Sequence, residues 1–449
     1  MPSFCGRLLF FVRDFLRCSF IECDIHQKHT MSDIQKQKTK KPLADERRQL
    51  LLIILCWVVY TGNYLARYGY NSNINGIIEH YGVDKSQAGL VATCFFFAYG
   101  AGQVINGMLC SKYKLKIVMP LSLAVSSVLN LIAFFLPDFH YFKYMWLING
   151  LTQSVSWPSL VLVLGRYLSK KNLKKAIISM STTTAAGTLI TYCLSALFNE
   201  IGMFNLSFLF GGVIIAVCAL LWLTVFDKLA VECNDEEIEA NEQQTAQEEN
   251  GKGRTVALVM FIVLGLFAVI DNFVKDGLST WVPTIMKDTY GFSDSLSIIL
   301  SLVLPLVGIF GATLAIFLNS KIKDFVALCG VLFVASAVML AFIIPDGMPF
   351  WVLLIVFGGV YCFMSSVNNA ATSMAPLFLR NYFNSGRTAG LLNGCCYLGS
   401  TISSYGLGVI AARGGWNTVF AVLLGSAVFA ALVCGIYLAV KPIIAKKTK

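Results

Sequence analysis

Charge is what this chain has least of. Asp, Glu, Lys and Arg make up 13% of its 449 residues, about half of the roughly 25% that a soluble domain carries. Hydrophobic residues make up 56%. That balance excludes an ordinary soluble fold and implies a chain that crosses a bilayer many times. Other absences narrow the chemistry. No C-x-x-C occurs among the fourteen cysteines. Most of them, Cys56, Cys94, Cys218 and Cys362 among them, fall in apolar runs and read as small buried residues, not as a disulfide framework or metal site. No P-loop, zinc-ligand spacing or Ser/His/Asp constellation is placed for chemistry, so an enzyme is not expected, nor a cofactor or a metal. The first thirty residues hold an apolar stretch interrupted by Arg13, Asp14 and Arg17, unlike a clean signal peptide. Residues 1–30 are therefore expected to be an upstream extension or a short interfacial helix, with Met31 a more natural start.

What is present is a series of apolar runs, each long enough at about 20 residues to cross a hydrocarbon core of about 30 Å. Twelve can be marked, at 50–78, 87–110, 117–136, 143–168, 176–200, 203–226, 256–286, 295–319, 325–344, 349–379, 388–412 and 418–440. The formal charge of +10 does not point to nucleic acid, because the basic residues collect in every second loop. Loops 111–116, 166–175, 320–324 and 380–387 carry twelve Lys and Arg, whereas the alternate loops carry four. By the positive-inside rule the basic loops and both termini are expected on the cytoplasmic side, most naturally of the cell membrane.

Between the sixth and seventh runs lies an acidic segment, residues 227–254, with nine Asp and Glu and few large apolar residues. It reads as a solvated linker; a docking role for its acidic cluster is the lesser alternative. The linker divides the chain into an N-terminal segment 1–48, a six-span bundle 49–226, a second bundle 255–440 and a basic tail 441–449. The halves answer each other: SKYKLK is matched by SKIKD, and NYLARYG in the first span by NFVKDG in the seventh. Arg67 thereby stands opposite Lys275. Two six-span halves related by an axis along the membrane normal are the architecture of major-facilitator transporters. The expected fold is an all-α membrane protein of twelve transmembrane helices, two pseudo-symmetric six-helix bundles around a central cavity.

A charged side chain at mid-bilayer is costly and faces a protein-lined cavity or a partner. Symmetry-equivalent cations on the first helix of each half would converge on one cavity and make an anion site, Arg as a planar fork and Lys as a point charge. Arg67 and Lys275 lie some 17 and 19 residues into their runs, which also leaves open that each snorkels to an interface. Asp271 is four residues before Lys275 and shares its helix face within salt-bridge reach. It either pairs with Lys275, as a charge partner or proton carrier, or is satisfied elsewhere. Asn368 and Asn369 suit either a sugar hydroxyl or interhelical hydrogen bonds, and Trp157-Pro158 either a kink or a substrate platform.

From about residue 50 to 440 the chain resembles the organophosphate:phosphate antiporters, the sugar-phosphate permeases of the major facilitator superfamily. The residues that carry the resemblance are YTGNYLAR (Tyr60, Tyr64, Arg67), FAYGAGQ (Tyr99), NGLTQSVSWPS (Gln153, Trp157, Pro158), KDGLSTWVPT (Lys275, Trp281, Pro283) and GCCYLGS (Tyr397, Gly399). The resemblance implies that Arg67 and Lys275 hold a phosphoryl group, and that Tyr60, Tyr64, Tyr99, Gln153, Trp157 and Tyr397 line the path or contact substrate. The chain departs from glycerol-phosphate members in having Lys275 for a second arginine, Gln103 for a lysine, no histidine in STTTAAG and Ser111 for the acid of G-x-x-x-D-[RK].

The expected function is secondary transport of a phosphorylated organic anion by alternating access, in exchange for inorganic phosphate, by a monomer whose expected partners are the anion, inorganic phosphate or protons, and the lipid bilayer, with no nucleic acid. Two rivals stand beside it: a proton-coupled symporter of a carboxylate or hexuronate that uses Asp271, and a transporter-like membrane sensor of sugar phosphate.

Overall fold

The computed structural model describes residues 46–230, 254–343, 347–379, 382–383 and 385–447. The expected extension at 1–30, the rest of the chain up to residue 45 and the interior of the acidic linker lie outside them. Every regular element among the described residues is helical. Nine stretches among them are long and apolar enough to cross a membrane. The last, Thr388–Ile443, is two passes folded at Gly415, whose φ of 71° only glycine adopts without strain. The shorter apolar helix Phe325–Ala341 and the consecutive helices Lys170–Ser181 and Thr183–Glu200 complete the expected twelve.

The first pass is Glu46–Ser72, prolonged by Ile74–Tyr81; the second is Lys85–Leu109, the third Leu115–Phe134 and the fourth Phe142–Gln153 with Ser156–Tyr167. The sixth is Leu206–Leu229, and the seventh a single helix, Arg254–Tyr290. The eighth comprises Asp294–Ser301, Val303–Gly308 and Phe310–Lys321. The ninth is Phe325–Ala341, the tenth runs from Phe350–Asn369 through a π turn at Ala370–Met374 to Ala375–Phe378, and the last two share Ser385–Lys447.

The breaks follow from local chemistry. Proline cannot donate to the carbonyl four residues back. For Pro158 that carbonyl belongs to Ser154, where the fourth pass breaks, and for Pro305 to Ser301, where the first piece of the eighth pass ends. The fifth pass breaks without proline. There the hydroxyls of Thr182 and Thr183 donate to the carbonyls of Ser179 and Met180 at 2.8 and 2.6 Å, competing with the helix's own amides.

Buried apolar side chains collect by half. One cluster draws on Leu52 to Leu229 around Trp222, a second on Tyr70 to Phe208 around Trp146. The largest draws on 257–437 around Phe267, Phe333 and Phe357, joined by Ile74 and Ala88. Leu121, Leu220 and Ile316 are instead more than 60% exposed, as apolar side chains turned to lipid are. Close approach of backbones replaces hydrophobic drive between helices in a bilayer: a methyl at Gly399 would lie 2.0 Å from the Val269 carbonyl oxygen. The eleventh pass thereby sits directly on the seventh.

Polar contacts between the halves gather at the end of the helices away from the basic loops. Thr284 donates to Asn75 at 2.7 Å, Asn75 to the Pro283 carbonyl at 3.3 Å, and Asn71 to Thr280 at 3.4 Å. Tyr192 donates to the Ser279 carbonyl at 3.4 Å and Thr93 to the Thr401 carbonyl at 2.8 Å. Lys85 pairs with Asp288 at 2.5 Å, and Lys287 with Glu79. These contacts close that end over the middle of the protein.

Candidate functional site

On the inner face of the first pass, Tyr60, Asn63, Tyr64 and Arg67 follow the i, i+3, i+4, i+7 spacing that stacks side chains along one stripe of a helix. The stripe ends at Arg67, only 8% exposed. Together with Tyr99 of the second pass and Gln153 of the fourth, these residues line a small hollow.

Arg67 is held by rings. Its guanidinium carbon lies 4.8 Å from the Tyr99 ring centre, 4.9 and 5.1 Å from Phe95 and Phe96, 5.5 Å from Tyr68, 5.7 Å from Tyr397 and 5.9 Å from Tyr64. Such faces stabilise a desolvated cation without neutralising it. Among the described residues no carboxylate forms an ion pair with Arg67, and its buried Nε has no hydrogen-bond partner. The guanidinium thus keeps its full charge and an unused donor.

The other expected residues are placed around this hollow. Trp157 does not line it but lies against Tyr60, ring centres 5.0 Å apart, so the Pro158 break and an aromatic wall coexist. Tyr397 reaches across from the eleventh pass to Tyr99, 4.7 Å between centres. Gln153 faces the hollow, yet its amide donates to Ser126 and Asn149 at 3.0 and 3.2 Å, tying it to the third and fourth passes. Gln103 is buried with its amide nitrogen unpartnered.

Lys275 is not among the residues that line this hollow. It lies partly buried on the seventh pass, with Asp276, Asp271, Tyr361 and Cys396 as its charged and titratable neighbours. The salt bridge between Asp271 and Lys275 that their spacing suggests is not formed: no N–O distance between them is 4 Å or less. The i, i+4 geometry brings the two backbones into register, but Asp271 turns inward, 0% exposed, toward Asn272 and Asn368. Asn272 donates to its Oδ2 at 3.0 Å, and its Oδ1 has no partner. Asp276 accepts from Ser400 at 2.5 Å. Asn368 donates to the Cys396 sulfur at 3.4 Å across to the eleventh pass, and Asn369 to the Ser365 carbonyl at 2.8 Å on its own helix.

Sequence reasoning missed Asn63, Tyr68 and the Phe95-Phe96 pair. The helical stripe through Tyr60, Tyr64 and Arg67 would have found Asn63. Tyr68 and the phenylalanines carry no such signal, because they reach Arg67 only through the packing of the second pass on the first.

The arrangement offers an anion a buried cation that pairs with no carboxylate among the described residues. Residues 56–404 match the model of the Major Facilitator Superfamily. The glycerol-3-phosphate transporter of Bacillus subtilis is 25% identical over 419 residues, 87% of this chain and 93% of that protein. Sugar phosphate exchanger 3 of Homo sapiens is 22% identical over 377 residues, 74% of this chain and 76% of that protein. A bacterial homologue of the human lysosomal transporter Spinster, solved inward-facing and occupied, superposes with a TM-score of 0.66 at 16% identity, covering 90% of this chain and 98% of that one. The resemblance to sugar-phosphate permeases read from the motifs is borne out by these relatives, and all three proteins are transporters rather than enzymes.

Proposed function

Because the chain belongs to the Major Facilitator Superfamily, we propose that it carries a phosphorylated small organic anion across the membrane by alternating access, in exchange for inorganic phosphate. The observation that carries this reading is Arg67, buried, paired with no carboxylate among the described residues and unpartnered at Nε, at the hollow. An anion there gains two charge-assisted hydrogen bonds from a planar fork, and the ring-lined walls exclude the water that would compete. Relatives named as a glycerol-3-phosphate transporter and a sugar phosphate exchanger support a phosphoryl group as the anion.

In this reading Tyr60, Tyr64, Tyr99 and Asn63 contact the cargo, with Trp157 and Tyr397 backing them. Lys275 approaches the anion from the second half as the bundles 49–226 and 255–440 rock against each other. The basic loops and both termini face the cytoplasm. A protein that unfastened both ends without cargo would leave Arg67 unpaired in the bilayer, so a bound anion lowers the cost of crossing and exchange follows.

The test is exchange of labelled phosphate, glycerol 3-phosphate or glucose 6-phosphate in proteoliposomes. Uptake is expected to require an anion inside and to be lost in Arg67→Ala. Wild-type rates in that variant would sink the reading.

A further inference from the structure

The hollow holds more than a place for a charge. Of the six side chains that line it, Asn63 and Arg67 are the two with a buried polar atom that meets no partner among the described residues. At Arg67 that atom is the donor Nε, and at Asn63 it is the acceptor Oδ1. An anionic oxygen satisfies the first but not the second, because it accepts, as Oδ1 does. The Asn63 amide is also fixed in orientation. Its Nδ2 donates to the Val59 carbonyl at 3.3 Å, one turn back, and to the Ser156 hydroxyl at 3.2 Å. A carbonyl oxygen only accepts, so turning the amide over would set oxygen against oxygen. Ser156 opens the second helix of the fourth pass, just beyond the break that Pro158 imposes, and is 0% exposed. The break thereby anchors the nitrogen of the amide and leaves its oxygen unmet. A buried acceptor without a donor is costly, and a ligand that supplies the donor recovers that cost.

We propose that Asn63 accepts a hydrogen bond from a hydroxyl on the carbon skeleton of the cargo, and so makes the carrier prefer phosphate esters with such a hydroxyl to esters of the same shape without one. The inference rests on the anion-carrier reading above and adds to it the residue that reads the organic part. Asn63 and Arg67 are four residues apart on one helix, so their backbones are offset by about 6 Å along its axis. A phosphoryl group held at Arg67 leaves that span to the carbons it carries, and two or three of them cover it at about 1.5 Å a bond. The donor has to be neutral. An ammonium group would sit beside a guanidinium that pairs with no carboxylate among the described residues, and like charges there repel. A carboxylate or keto oxygen only accepts, which leaves the hydroxyl. The other lining residues fit the same cargo. Tyr60, Tyr64 and Tyr99 supply apolar surface on which a carbon skeleton packs, and Gln153 commits its amide nitrogen to Ser126 and Asn149.

The experiment reads exchange of labelled phosphate for internal phosphate in proteoliposomes of the wild type and of Asn63→Leu, which keeps the shape of the side chain and removes the acceptor. Two matched pairs of unlabelled esters compete: glycerol 3-phosphate against propyl phosphate, and glucose 6-phosphate against cyclohexylmethyl phosphate. The second of each pair lacks every hydroxyl. In the wild type at least one hydroxylated ester is expected to inhibit at a concentration about tenfold lower than its counterpart, the effect of leaving a buried acceptor unmet. In Asn63→Leu that ratio is expected to fall to near one, whatever the variant's own rate. A ratio unchanged in Asn63→Leu overturns the proposal. So does a wild type that the hydroxyl-free member of each pair inhibits as well or better, as it would with water bound at Oδ1. Both outcomes leave the anion-carrier reading standing, since phosphate still exchanges. A wild type that exchanges no phosphate sinks both. Should Asn63→Leu fail to fold or to exchange, the wild type is challenged with the preferred ester carrying fluorine in place of one hydroxyl at a time. One replacement is expected to weaken inhibition about tenfold, because fluorine cannot donate to Oδ1. Equal inhibition by every fluorinated ester overturns the proposal.

Discussion

At the scale of single residues, the two cations of the centre are not equivalent. Arg67 sits among six rings and, among the described residues, pairs with no carboxylate, while Lys275 has an acid on either side in sequence. Lys275→Ala is therefore expected to lower anion uptake about tenfold or more, the cost of removing one partner of a desolvated charge contact. Lys275→Ala/Asp276→Asn, which restores the local balance, is expected to recover part of it; uptake assays in proteoliposomes decide. A second residue lies in the loop before the second pass. Asp84 accepts from the Ser86 hydroxyl and the Gln87 amide, and Gln87 reaches back to the Asp84 amide, a closed capping box. The Ser86 hydroxyl first, and the Gln87 amide with it, hold the Asp84 carboxyl below its ordinary value of 3.8. A depressed value means stability that is complete at neutral pH and lost as the pH falls below 3.8. Asp84→Ala is expected to cost about 1 kcal/mol in unfolding experiments. Of this scale the sequence showed the identities well and the contacts poorly. Arg67 was legible because a charge in an apolar run has to face protein, and Tyr60, Tyr64 and Tyr99, which line the hollow with it, only through the resemblance to sugar-phosphate permeases. The turn of Asp271 away from Lys275 was not, because helical spacing fixes which face a side chain leaves from and not which neighbour it meets.

At the scale of elements, the seventh and eleventh passes touch where a side chain would not fit. Gly399→Ala is expected to push the helices apart, destabilise the protein by about 1–3 kcal/mol and depress transport. Gly390, earlier on the same helix with open space around it, is the control. Gly390→Ala is expected to be neutral or to stabilise by up to about 1 kcal/mol, since alanine is the better helix former. Thermal unfolding in detergent separates the two. Elements were legible where hydropathy and proline speak: the apolar runs outline the twelve passes, and Pro158 and Pro305 mark two of the breaks. The break of the fifth pass was hidden because threonine hydroxyls, not proline, interrupt it, and the expected run at 176–200 missed the helix that begins at Lys170.

At the scale of the whole molecule, the polar contacts between the halves lie at the end away from the basic loops. Glu79 is more than half exposed, so its pair with Lys287 contributes no more than about 0.2–1 kcal/mol. Lys287→Met is expected to raise the reactivity of Asn71→Cys toward a membrane-impermeant thiol reagent by up to about fivefold, the shift that such an energy makes in an equilibrium. Unchanged labelling would show that the hydrogen bonds of Asn75 and Thr284 hold this end alone. The pairing of halves was legible from the repeated loops, but which end they close was not. That depends on which of two packings has the lower energy, a choice that one sequence encodes for both.

The fastening of this end by partly exposed ion pairs, and of Arg67 by aromatic faces, gives the two places different responses to electrolyte. Counter-ions reach Lys85, Asp288, Lys287 and Glu79 far more readily than they reach a guanidinium walled in by rings. Concentrated inert salt should then quicken the step in which the protein unlatches while leaving its grip on cargo nearly untouched, and the ionic-strength dependence of turnover alone would reveal which of the two sets the pace.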